Sequence, residues 1–177
     1  MVSSVSGTDM LPITSPGLVF LDVFLASSLI APFENSIFGF GEELGWRGYL
    51  LPKLIPLGKL RAYLLLGIIW SLWHMPLIAI GFTYPNHPFL GMIAFTGLTT
   101  GLGIYFNEMT LLHESSPLAG WIHGIFNSQK LGVWPLLFPN TDPLLGGYSG
   151  IIGIAVWFLL GLSTVWYGRK RNFSIVD

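Results

Sequence analysis

Long apolar runs, broken by short polar or Gly/Pro-rich connections, set the pattern of this chain. The runs cover about Leu18–Lys53, Leu60–Ile80, Pro88–Asn107, Pro117–Leu137 and Ser149–Tyr167. Each is near or beyond the roughly 20 residues that a bilayer-crossing helix needs. Strand-like alternation is absent, so the pattern predicts an all-α polytopic transmembrane helical bundle of about five spans. It forms one membrane domain over residues 1–177, with an exposed lead-in (1–16), the bundle (17–171) and a short tail (172–177).

The first run is too long for a straight span. As one helix it extends roughly 50 Å against a hydrocarbon core of about 30 Å, so it must tilt, bend or break. Pro32 is the expected break, because proline removes a helical hydrogen bond and its ring crowds the preceding turn. Asp22 and Glu34 flank it and are expected to face water or the interface. Ser116 is expected to cap the fourth helix, with Pro117 where its missing N–H does no harm. The Pro135, Pro139, Asn140–Pro143 and Gly146-Gly147 cluster reads as an irregular loop.

Composition supports lipid as the solvent. Of 177 residues, 52% are hydrophobic and 10% charged, with a mean hydropathy of +0.66, whereas a soluble domain carries about 25% charge. The net charge of -1, with no basic cluster beyond Arg169-Lys170-Arg171, argues against a nucleic-acid partner. The lack of cysteine excludes disulfides, thiol catalysis and cysteine-ligated zinc. Residues 1–16 contain no Lys or Arg and so lack the basic start of a secretory signal. Lys53, Lys59 and Arg61 follow the first span and Arg169–Arg171 the last. The four intervening spans bring both groups to one side, expected to be cytoplasmic, with the amino terminus outside.

Against this background, the polar residues inside the runs call for a chemical reason. In Glu42-Glu43-Leu44-Gly45-Trp46-Arg47, Glu43 and Arg47 share a helical face and can neutralise each other. Glu42 points roughly 100° away and lacks that partner, which makes it a candidate acid or base. His74 lies midway through the second span beside Pro76, and His123 and Asn127, four apart, project from one face of the fourth. From the presumed cytoplasmic ends, Glu42 is roughly 17 Å deep, His74 roughly 21 Å and His123 roughly 10 Å, so with a tilt or bend the three can share a cavity. A carboxylate and an imidazole facing one water can deprotonate it, while a second imidazole and an amide can hydrogen-bond an oxyanion. That describes a hydrolase site without a Ser or Cys nucleophile.

Glu42-Glu43-x-x-x-Arg47, Trp70-x-x-x-His74 and His123-x-x-x-Asn127, in that order, resemble the three motifs of the CPBP intramembrane protease family. That family includes CAAX prenyl endopeptidases of the Rce1 type and bacterial proteins labelled abortive-infection or bacteriocin-immunity proteins. The resemblance covers about residues 34–167. The wording from Glu42 to Pro52 is similar to the bacterial branch, which implies a multi-pass protein of the bacterial inner membrane. It implies Glu42 as general base, His74 as its partner in orienting water, His123 and Asn127 as the oxyanion hole, and Glu43 with Arg47 shaping the site. The family's second motif usually begins with Phe, where this chain has Trp70.

The resemblance also implies a membrane-associated, possibly prenylated peptide as substrate, with membrane lipid as its surroundings. Six to eight helices are usual in the family. With about five, the chain is expected either to be a truncated form or to complete its cavity as a homo- or hetero-oligomer. No cofactor is required by this reading, the alternative being zinc held by Glu42, His74 and His123. Nothing resembles His-Glu-x-x-His, whose ligands share one helical turn. Two other function classes stay open: an ion- or proton-coupled transporter, and a non-catalytic scaffold or immunity protein.

Overall fold

The computed structural model describes residues 15–173, with side chains described as far as residue 170. Most of the expected lead-in, the tail from residue 174 and the side chain of Arg171 lie outside the described residues. Helix α1 runs over Pro16–Leu57, α2 over Lys59–Ala79, α3 over Pro88–His113, α4 over Ser116–Leu131, α5 over Val133–Leu137 and α6 over Ile151–Phe173. Among the described residues there is no strand. Helices α1, α2, α3 and α6 are long and apolar enough to cross a bilayer, and lipid-facing positions such as Phe38, Leu60, Ile93 and Leu159 are exposed.

Pro32 does not break α1. A wide turn over Ala26–Ile30 closes with the Ala31 N–H bonded to the carbonyl of Ala26, five residues back. The widened turn clears space for a proline ring that has no N–H to give. The same solution recurs over Leu44–Leu50, where the Leu51 N–H bonds the Trp46 carbonyl immediately before Pro52. The helix therefore continues for 42 residues, about 63 Å, and its ends or its tilt must absorb the excess over the bilayer. Asp22 and Glu34 are exposed.

The fourth run also differs from expectation. Helix α4 stops at Leu131 because Gly132 adopts φ -100°, ψ -95°, so the expected span to Leu137 is split and α5 is a separate short turn. At 16 residues, about 24 Å, α4 falls short of the hydrocarbon thickness by itself. Its cap is Ser115, whose hydroxyl accepts from the Leu118 N–H at 3.2 Å. Ser116 is the first helical residue instead.

Two sets of close approaches fix the bundle. Helices α1 and α4 pack antiparallel through small residues: a Cβ on Gly39 would sit 2.5 Å from the Gly120 carbonyl oxygen, and one on Gly124 would sit 2.6 Å from the Ser36 nitrogen. Without a hydrophobic force between helices in lipid, such backbone contact is what holds them. Helix α3 sits between α2 and α6. A Cβ on Gly67 would meet the Thr100 hydroxyl at 2.6 Å, one on Gly101 the Phe158 ring at 3.0 Å and one on Gly161 an Ile104 methyl at 2.9 Å. The Thr99 hydroxyl donates to the Gly67 carbonyl at 3.0 Å. Pairings such as Glu108 with Lys59 put the end of α3 beside the start of α2, and Gly168 also packs on Glu108. Lys59 and the last turns of α6 therefore share one end of the bundle.

Candidate active site

Trp70, Leu102 and Phe106 form a buried apolar cluster between α2 and α3, and the candidate residues gather around the Trp70 indole. Its N–H donates to a Glu42 carboxylate oxygen at 3.0 Å. The Arg47 guanidinium lies over the ring face, 4.5 Å from its centroid. The imidazoles of His74 and His123 approach it edge-on, with centroids 6.1 Å and 5.6 Å away. Trp70, standing where the family's motif usually has Phe, is thus the hub of the site, and its N–H gives Glu42 a partner that a phenyl ring could not.

The two adjacent glutamates have different surroundings. Glu43 is fully buried and accepts from one Arg47 nitrogen at 2.9 and 2.8 Å. Its Oε1 also lies 2.9 Å from His123 Nδ1. Arg47, equally buried, donates from Nε to the Asn107 side-chain oxygen at 3.0 Å. Glu42 is half-buried and takes part in no ion pair among the described residues. The i,i+4 reading of Glu43 and Arg47 holds although Arg47 lies inside the wide turn that begins at Leu44.

Both histidines are oriented by their Nδ1 atoms. His74 Nδ1 contacts its own helix at the Trp70 carbonyl, 3.0 Å away, and its ring packs against Trp73 and Phe95 at centroid distances of 4.7 and 4.9 Å. His123 Nδ1 is held by Glu43. In each case Nε2 is the nitrogen left for chemistry. The small-residue contact of α1 with α4 makes the second anchor possible: Gly39 stands one turn before Glu43, and Gly124 directly follows His123. Asn127 lies one turn beyond His123 on α4, half-buried and without a hydrogen-bond partner among the described residues.

Sequence reasoning missed three polar features. The apolar pattern ends the third span at Asn107, yet α3 continues to His113 and Asn107 is fully buried on Arg47. Glu108 is also fully buried. It accepts from Lys59 Nζ at 2.9 Å and from the Tyr63 hydroxyl, clamping α2 to α3 at the Lys59 end. The third is the bond of His123 to Glu43. The available signal for the first two was a pair of polar residues inside an apolar run, the same signal that singled out His74.

Among the described residues no three His, Asp or Glu side chains converge as metal ligands: the Trp70 N–H engages Glu42, and His123 turns one nitrogen toward Glu43.

Residues 13–129 match the family model described as type II CAAX prenyl endopeptidase Rce1-like. CAAX prenyl protease 2 of Methanococcus maripaludis is 32% identical over 140 residues, which is 75% of this chain and 48% of that protein. The chain therefore spans about half the length of this relative. No solved structure matches it.

Proposed function

The chain belongs to the type II CAAX prenyl endopeptidase Rce1-like family, and from that premise we propose that it is an intramembrane endopeptidase acting on a membrane-associated peptide. The observation that carries the reading is the unequal treatment of two neighbouring glutamates. Glu43 is neutralised by Arg47 and aligns His123, whereas Glu42 keeps a carboxylate that is hydrogen-bonded but not ion-paired, beside the same indole as both histidines.

In this mechanism Glu42 takes a proton from a water that His74 Nε2 helps to orient, and the water attacks the scissile carbonyl. Negative charge then develops on the carbonyl oxygen. His123, acting in its doubly protonated form, donates Nε2–H to it together with the Asn127 amide, while Glu43 accepts from His123 Nδ1–H and fixes the direction of the ring. Protonated Glu42 returns its proton to the leaving amine. Glu43 and Arg47 do not touch the reacting atoms and act by holding His123. Every step runs on protein groups, so the proposed reaction is metal-free.

A lipidated or strongly apolar chain end fits a site that lies within the span of the bundle, and a bacterial inner membrane is the proposed location. The test compares one peptide with and without a lipid anchor in liposomes containing the protein, with Glu42→Gln as control. We expect cleavage of the anchored peptide only, and only by the unmodified protein. Equal cleavage of the free peptide would overturn membrane delivery, and turnover by Glu42→Gln would overturn the role of the base.

A further inference from the structure

The contact of Arg47 with Glu43 is not the fork that an arginine commonly makes, in which two nitrogens each serve one carboxylate oxygen. Both Glu43 oxygens lie on a single nitrogen, Nη1, at 2.9 and 2.8 Å. The other two nitrogens are turned toward α3. Nε donates to the Asn107 side-chain oxygen at 3.0 Å, and Nη2 passes the backbone at Gly103, where an added Cβ would stand 3.3 Å from it. Gly103 and Asn107 are one helical turn apart and share a face, so they form a seat for the guanidinium. The rings of Trp70 and Phe106 stand beside it, 4.5 and 5.2 Å from the guanidinium carbon.

Asn107 is the directional part of this seat. Ring faces and the bare backbone at Gly103 let a guanidinium turn in its own plane, whereas a hydrogen bond at Nε fixes that turn. The plainer reading is that Asn107 only satisfies a buried cation. It serves that purpose poorly. The amide is fully buried, and both its own nitrogen and Arg47 Nη2 are left without a partner among the described residues, which is a cost to the fold. What the arrangement does secure is the approach of Arg47 from one side. Glu43 Oε1 then keeps a lone pair for His123 Nδ1, 2.9 Å away, and because a carboxylate only accepts, the imidazole donates.

We propose that Asn107 is a positioning residue for the reaction: by holding Arg47 Nε it keeps a two-nitrogen fork from closing on Glu43 and so leaves Glu43 to aim His123. The connection runs from α3 through α1 to α4, and Asn107 touches no reacting atom. It rests on the endopeptidase reading, in which His123 serves the oxyanion. Without the acceptor at Asn107 the guanidinium turns, its fork takes both Glu43 oxygens, and His123 loses its anchor while the surfaces that receive substrate stay as they were.

The test reads the anchor and the turnover separately. The full chain is labelled at its histidine nitrogens and studied by proton–nitrogen NMR in detergent micelles, where an imidazole N–H bonded to a buried carboxylate gives a strongly deshielded, exchange-protected resonance. His123→Ala identifies which of the four histidines produces it. Asn107→Leu, of similar size but with no acceptor, should lose that resonance and lower kcat on a lipid-anchored peptide by about 10²-fold, the scale of a small misplacement of a catalytic group, with KM unchanged. Asn107→Asp, which still offers an oxygen to Nε, should keep the resonance and most of kcat. Should Asn107→Leu fail to fold, Asn107→Ala takes its place, since water can then solvate Nε without directing it. Retention of either the resonance or the turnover in the folded variant without an acceptor would overturn the proposal. So would a rise in KM with kcat intact, or an Asn107→Asp protein as impaired as Asn107→Leu. If the unmodified protein never cuts the peptide while loss of the acceptor still abolishes the resonance, the endopeptidase reading fails and the aiming of His123 by Asn107 survives.

Discussion

Replacing Glu43 by Gln removes the counter-ion of a cation that has nowhere else to go. Arg47 is 1% exposed. Its five N–H groups are served by Glu43 through one nitrogen and by Asn107 through another, while its third nitrogen has no protein partner. The faces of Trp70 and Phe106, at 4.5 and 5.2 Å, contribute about 0.5–2 kcal/mol each. That is too little to hold an unpaired guanidinium, and breaking a buried ion pair from one side costs about 3–5 kcal/mol. For a chain of this size the loss corresponds to roughly 6–20 °C in melting temperature. Arg47→Met leaves Glu43 with only His123 and should also destabilise. The double variant Glu43→Gln/Arg47→Met removes both charges at similar volume and should lose about 1–3 kcal/mol less than the sum of the singles. Thermal unfolding of the four proteins in one detergent measures the cycle. A Glu43→Gln melting point within about 3 °C of the parent, or strictly additive losses, would show that the pair does not support the fold as argued.

Glu42→Gln should abolish cleavage of a lipid-anchored peptide and leave the melting temperature nearly unchanged, because Glu42 neutralises no buried cation; a loss of stability as large as that of Glu43→Gln would merge the two roles. Asn127→Ala should slow turnover by roughly 10²–10³, the usual effect of losing one oxyanion donor, with little change in peptide binding, and an unchanged kcat would leave Asn127 a packing residue. Gly124→Ala puts a methyl against the Ser36 backbone and must push α4 from α1, so both stability and activity should fall, whereas the same change at Gly45, which faces open space, should be nearly silent in a melting curve. Exhaustive chelation should leave turnover intact and added Zn²⁺ should inhibit; restoration of a chelated, dead enzyme by stoichiometric zinc would require a Lewis-acid mechanism instead.

Much of the bundle was legible because lipid imposes a length. Runs near twenty residues marked the helices, and the four-residue spacing of Glu43 and Arg47 marked their ion pair. What spacing cannot give is which helix lies beside which. His123 stands eighty residues from Glu43, and its partner follows from the approach of α4 to α1. The signal for that approach was present in Gly120-x-x-x-Gly124, a small-residue stripe of the kind that lets membrane helices touch. Trp70 was underread for a different reason. Its position in the motif usually holds Phe, and only the position of Glu42 shows that the indole N–H is used. Pro32 misled because a proline in a helix predicts a broken bond, whereas a turn that is already one residue wide loses nothing by it.

The wide turn over Leu44–Leu50 has a consequence for inheritance of length. A bulge of this kind holds one residue beyond what a regular turn needs, while the helix on either side keeps the faces it would have had without it. Leu51, fully buried against Ala62, Tyr63 and Leu66, stays inward although its carbonyl-to-amide spacing from Trp46 is five instead of four. A gene that lost the codon for Gly45 could therefore still encode a helix with Glu43 and Leu51 on their present sides, the turn having closed to ordinary pitch. The same loss at Gly39, in regular helix, would swing one flank by about 100°. Of Gly39 and Gly45, one on either side of the glutamates, the second is dispensable in length and the first is not.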